Sequence, residues 1–271
     1  MSYSFRGRGN LVAGAVLIGA VFLTGLFAPL IAPADPLAQH LAQALQPPSG
    51  LHWFGTDQFG RDLLSRVIFG ARLSLFEMAL GVGLAMAVGV PLGLIAGHRG
   101  GRVDEALSWS MNVVFAFPGL VLAILIVSVL GTDLVDMLVA IAIFSMPAYF
   151  RLTRGLTMSL KQTEFAEAAV AMGAGTPRLL VRHILRNAMA PLIVQATLGA
   201  GTVVLSAASL SFLGLGVQPP APEWGAMMSS GRDYLGVATT LSLFPGLAIL
   251  VTVLGSNLLG DGLRDLLDPR G

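Results

Sequence analysis

Six long apolar runs, parted by shorter polar stretches, organise the chain: Leu11–Ala32, Leu73–Ala96, Val113–Leu130, Leu134–Phe150, Ala188–Leu213 and Leu235–Leu259. Each is near the roughly 20 residues a helix needs to cross the hydrocarbon core of a bilayer. A helix satisfies its own backbone hydrogen bonds, which lipid demands of a spanning segment. The period-two alternation of a membrane barrel is missing. The pattern predicts an all-α integral membrane protein of six transmembrane helices.

The first run follows Arg6 and Arg8 and ends at Ala32-Pro33-Ala34, which has the small-residue form of a signal-peptidase site. A cleaved signal has an apolar core of about 7–15 residues. This run is longer, so an uncleaved first span is expected. Six spans put both termini on one side. An inside N-terminus gives the inner segments Arg6, Arg8, Arg99, Arg102, Arg151, Arg154, Lys161, Arg178, Arg182, Arg186, Arg264 and Arg270. The outer segments then hold Arg61, Arg66, Arg72 and Arg232. Cations favour the cytoplasmic side, so both termini are predicted to be cytoplasmic. The acidic turn Gly131-Thr132-Asp133, with Asp136 beyond it, suits the outside.

Three segments outside the runs are large enough to have structure: 33–72 and 214–234 on the outer side, and 151–187 on the inner side. The expected division is 1–72, a first span with an outer amphipathic region, and 73–271, the main membrane domain carrying the inner loop 151–187.

Composition agrees. The chain is 55% hydrophobic and 11% charged, against about a quarter charged in soluble domains. Too little charge is present to coat a water-facing surface. A net charge of +1 gives no sign of a nucleic-acid partner. With no cysteine, disulfides and thiolate metal centres are excluded. His40, His52, His98 and His183 lack metal-ligand spacing. No catalytic constellation or cofactor motif is found, so no enzyme is predicted. The G-x-x-x-x-G-K-[ST] phosphate loop is absent, so any ATPase driving this chain is a separate protein.

The inner loop carries the most information. Ser159 and Thr163 are each suited to start a helix, and Gln162 completes a capping-box spacing from Ser159. Phe165, Ala168, Ala169 and Met172 fall at i, i+3, i+4 and i+7 and predict one apolar face. Glu164 and Glu167 occupy the early turns, where the helix dipole favours negative charge. Gly173 and Gly175 stop the helix, and Thr176-Pro177 starts another. Two short helices with a glycine elbow are expected. Their apolar face suits either a lipid surface or a groove on a partner protein.

At this point the chain resembles a family. Glu167-Ala168-Ala169, then Gly173, then Arg182-His183-Ile184-Leu185 resemble the EAA loop of ABC importer permeases. The blocks 54–62 and 65–72, Ser209–Gly216 with Glu223-Trp224-Gly225, and Asn257–Asp265 with Asp268-Pro269 resemble the C-type permeases of the dipeptide/oligopeptide/nickel group.

The resemblance implies the type I ABC importer permease architecture and a place in the inner membrane of a prokaryote. It implies a second homologous permease, two ATP-binding subunits at the cytoplasmic face and an extracytoplasmic solute-binding protein as partners, beside membrane lipid. It implies that Glu164, Phe165, Glu167, Ala168, Ala169, Met172 and Gly173 couple the chain to the ATPase. The expected cargo is di- or oligopeptides, with nickel or another small solute as the alternative. A self-sufficient secondary transporter is a weaker alternative, because the spans are nearly free of ionisable groups. Two departures stand out: Arg186 replaces a usual proline, and Ala207 replaces a frequent acidic residue.

Outside the membrane, Asp57, Arg61 and Asp62 read either as a solvated cap joining the first two spans or as a contact for a partner. Arg61 has Asp57 or Asp62 as a candidate mate. Glu223 and Trp224 read either as an interfacial anchor or as a gate or docking contact. Glu77, near the outer end of the second run, is expected to snorkel to water. Pro118, Pro147, Pro191 and Pro245 lie where they can kink spans.

Overall fold

The computed structural model of the protein describes residues 3–267, with side chains from Arg8 onward. Arg270 and the Asp268-Pro269 end of the tail block lie outside the described residues, as does the side chain of Arg6. Apart from one isolated bridge between Thr56 and Asp62, ordered structure among them is helical.

The first span is α1 (Tyr3–Leu26), which ends at Phe27 before the short α2 (Ala28–Ile31). The second is α3 (Leu63–Arg99), which starts at Leu63 rather than Leu73. Asp62 caps it: Ser65 donates its backbone N–H at 2.8 Å and its hydroxyl at 2.7 Å to Asp62 Oδ2. That cap satisfies orphan donors and moves the helix start upstream of the apolar run. At 1.5 Å per residue α3 is about 55 Å long, more than the bilayer core requires.

The third run is not one helix. It splits into α4 (Gly101–Ala116) and α5 (Gly119–Leu130), bent by 93° at Phe117-Pro118. Pro118 has no N–H and forces Phe117 into an extended conformation, φ −85° and ψ 141°. Among the described residues five helices are each long and apolar enough to span, and the bent pair α4–α5 passes the same test only when its two helices are taken together.

The fourth span, α6 (Leu134–Leu160), does not end at Phe150. It passes through the buried Pro147 and runs on to Leu160. Ser159 therefore lies inside α6, and the capping box expected from Ser159 and Gln162 does not form. The short α7 (Glu164–Ala171) follows. Next come α8 (Thr176–Arg178), a π-helical stretch Leu179–Leu185 and α9 (Arg186–Phe212), one helical rod across 176–212. The helix after the elbow is thus the start of the fifth span, not a second short helix. Asn187 Nδ2 donates to the His183 carbonyl at 2.6 Å, where the wide π turns give way to α. Finally α10 (Trp224–Gly231) and α11 (Thr240–Leu267) complete the chain.

Small residues let α3 and α6 pack closely. Gly89, Gly93 and Gly97 of α3 recur every four residues and meet the α6 backbone. A Cβ added at Gly93 would lie 2.6 Å from the Phe150 carbonyl oxygen, and one at Gly97 2.6 Å from that of Arg154. Without a hydrophobic drive between helices in lipid, such close approach supplies much of the association energy. Gly14 and Gly262 do the same between α1 and α11.

Candidate functional site

The loop between α6 and α9 forms a docked elbow. Ala166 and Ala169 turn inward, 2% exposed each, and pack with Leu179, Ile184 and Ala188. Glu164, Phe165, Glu167, Ala168 and Met172 are exposed, Met172 by 81%. The expected single face is therefore divided. Phe165, Ala168 and Met172 point away from the protein, while Ala169 belongs to the contact that holds α7 in place.

Thr163 precedes α7 without a side-chain cap; its hydroxyl donates to the Leu160 carbonyl at 2.6 Å. The C-terminus closes as a Schellman motif. The Gly173 N–H donates to Val170 O at 2.9 Å and the Ala174 N–H to Ala169 O at 3.0 Å. Gly173 adopts φ +86°, in the left-handed region where a Cβ is strained.

Side chains that the sequence reading did not single out brace the corner above the elbow. Arg154 of α6 donates from Nε to Asp104 Oδ1, and from its terminal nitrogen to Oδ2 at 2.6 Å. The Lys161 ammonium donates to the Gly97 carbonyl at 2.8 Å, at the open end of α3. The Arg151 guanidinium lies 3.6 Å from the centroid of the Phe115 ring. Local pattern gives no sign of these pairs, whose partners stand 36–64 residues apart.

The block 57–62 is not a solvated cap. Asp57, Arg61, Asp62 and Arg66 are all buried. Arg61 chooses Asp57: its Nε donates to Oδ2 at 2.6 Å, while Asp57 Oδ1 accepts the backbone N–H groups of Phe59 and Arg61. Asp62 caps α3 and meets His52 Nδ1 at 2.9 Å. Arg66 lies 3.5 Å from Asp57 and donates to the carbonyls of Pro36 at 3.0 Å and Pro220 at 3.2 Å. One guanidinium thus ties both outer segments to α3.

Trp224 is not an interfacial anchor. It is 2% exposed and its indole N–H donates to the Val67 carbonyl at 3.0 Å. Glu223 caps α10, accepting the Gly225 N–H at 2.8 Å and the Ala226 N–H at 2.7 Å. Burial pushes its carboxyl above the usual carboxylate range, against the pull of those two donors. Glu77 does not snorkel: it is fully buried, and neither carboxyl oxygen has a hydrogen-bond partner.

Comparison with known proteins places this architecture. A family described as the binding-protein-dependent transport system inner membrane component matches residues 89–270. The N-terminal TM domain of oligopeptide transport permease C matches residues 4–48. The chain is 47% identical over 259 residues to the dipeptide transport system permease protein DppC of Alkalihalophilus pseudofirmus, covering 96% of this chain and 85% of that protein. It is 45% identical over 267 residues to the glutathione transport system permease protein GsiD of an Escherichia coli strain, covering 98% and 88%. Its fold matches a chain of the inward-facing MetNI methionine ABC transporter, with a TM-score of 0.55 and 20% identity over 71% of this chain and 94% of that one. The reading as a self-sufficient secondary transporter falls with these matches. The chain belongs to the binding-protein-dependent transport system inner membrane component family: it is an integral membrane permease of the dipeptide/oligopeptide C type, a non-catalytic subunit of an ABC importer.

Proposed function

We propose that this permease forms half of the translocation pathway for short peptides. It pairs with a second, homologous permease, takes its drive from two ATP-binding subunits and receives cargo from an extracytoplasmic solute-binding protein. Short peptides are favoured as cargo because the relatives above are named for dipeptides and for glutathione, itself a small peptide.

The observation that carries the reading is the divided elbow. Ala166 and Ala169 anchor α7, which leaves Phe165, Ala168, Met172 and Gly173 as an exposed apolar knob flanked by Glu164 and Glu167. Such a knob fits a groove on a folded partner. The elbow and both termini are cytoplasmic in this reading, which the cations clustered around the elbow support. The outer candidates Asp57, Arg61, Asp62, Glu223 and Trp224 then act from within, holding the outer segments in place over the pathway.

Co-purification tests the coupling. The chain, expressed with its cognate ATPase, is expected to retain it, and Phe165→Ala with Met172→Ala is expected to lose it. Full retention with undiminished transport overturns the assignment. Capture of labelled dipeptides by the cognate binding protein tests the cargo, and failure to bind any short peptide refutes it.

A further inference from the structure

We propose that Glu77 and Glu223 together hold one exchangeable monovalent cation, a proton or an alkali-metal ion, in the contact between α3, α9 and α10.

The position follows from one face of α3. Gly70, Ser74, Glu77 and Gly81 recur at helical spacing and are all buried. Gly70 lies against the Trp224 indole, and Gly81 against Val203 of α9. Glu77 stands between these two contacts along α3, and its side chain is fully buried. Both of its carboxyl oxygens are sealed from solvent and accept nothing. Glu223, equally buried, immediately precedes the Trp224 that packs on Gly70 of this same α3 face.

No cation among the described residues answers Glu77. Among the described residues no ion pair includes Glu77 or Glu223. On α3, Arg66 is committed to Asp57 and two carbonyls, and Arg72 is exposed. The ionisable side chains of α9 and α11 are Arg186, Asp261, Arg264 and Asp265, all at the ends of those helices remote from α10. The segment α10 has none.

Two adjacent carboxylates without a counter-charge are not tolerated in a dry contact. Glu223 already accepts two backbone N–H groups, so its oxygens are arranged for a carboxylate. Glu77 has no donor, so the added cation belongs with it. Loss of that cation leaves like charges facing each other and drives α10 away from α3. Occupancy therefore locks the segment 214–234 onto the helix bundle.

The test uses the full chain in lipid nanodiscs. Thermal unfolding is followed across pH, and at fixed pH with sodium or potassium replaced by N-methyl-D-glucamine at constant ionic strength. Infrared difference spectra report any neutral carboxylic acid. A bound proton gives a pH-dependent midpoint and an acid carbonyl band, both lost in Glu77→Gln. A bound alkali ion gives a midpoint that follows sodium or potassium without the acid band, again lost in Glu77→Gln. Glu223→Gln, which keeps Glu77, is expected to weaken either dependence, moving its midpoint by about one pH unit or its apparent ion affinity about tenfold. It decides the matter should Glu77→Gln not fold. A wild type insensitive to both variables, or variants that keep the full wild-type dependence, overturn the site.

Discussion

Arg154 on α6 grips both carboxylate oxygens of Asp104 on α4, and this two-point clasp fastens the first helix of the bent pair to its neighbour. The pair is partly open to solvent, with side chains 33% and 13% exposed. Its bidentate form lifts it above an ordinary surface ion pair. A double-mutant cycle with Asp104→Asn and Arg154→Gln is expected to give a coupling of about 1–2 kcal/mol in thermal or chemical unfolding. A coupling near zero would mean that α4 is held by its apolar contacts alone.

Gly93 separates packing from propensity. Its added Cβ meets the Phe150 carbonyl, whereas one at Gly83 meets nothing within 4 Å. Gly93→Ala is expected to destabilise by about 1–3 kcal/mol through overpacking. Gly83→Ala is expected to be neutral or stabilising by up to about 1 kcal/mol, since alanine is the better helix former. Equal effects at both sites would contradict the close α3–α6 approach.

The two sides of α7 predict opposite phenotypes. Ala169→Leu forces a large side chain into the contact with Ile184 and Ala188 and is expected to lower the unfolding temperature. Met172→Ala is expected to leave that temperature unchanged while reducing ATPase retention several-fold. Reversed outcomes would exchange the docked and free faces.

Trp224 sits deep enough for truncation to matter. Trp224→Ala is expected to cost about 3–5 kcal/mol, and Trp224→Phe, which loses mainly the bond to Val67, about 1 kcal/mol. An interfacial anchor would show far smaller losses.

Glu223 sets a direction for pH. Its native carboxyl titrates above the ordinary range, so the native state binds the proton more tightly than the unfolded chain. The stability it contributes is full below the ordinary carboxylate pKa and is lost as pH rises through the raised native value. Glu223→Gln is expected to flatten that part of the stability profile, measured by unfolding midpoint against pH.

Hydrophobic runs located the membrane crossings because lipid imposes length and polarity directly on the sequence. They missed the break at Phe117-Pro118, since the apolar character continues unbroken across it and hydropathy carries no direction. The caps are more local: Asp62 lengthened α3 through a side chain three residues from its partner. Burial of charge was illegible. Arg66 reaches the Pro220 carbonyl 154 positions away, and a lone arginine beside polar residues otherwise reads as solvated. At the elbow the helical spacing found α7 but not its faces, since Ala169 turns inward while Phe165, Ala168 and Met172 turn outward. Ala166 lies outside the four-residue stripe, yet with Ala169 it defines the docked side.

The rod from Thr176 to Phe212 has the reach of a lever. Its 37 residues reach about 50 Å, with the elbow at one end and the neighbourhood of Ser211 and Glu223 at the other. A tilt of a few degrees at Gly173 would displace the far tip by several ångströms, so length alone would amplify a small stroke delivered at the elbow.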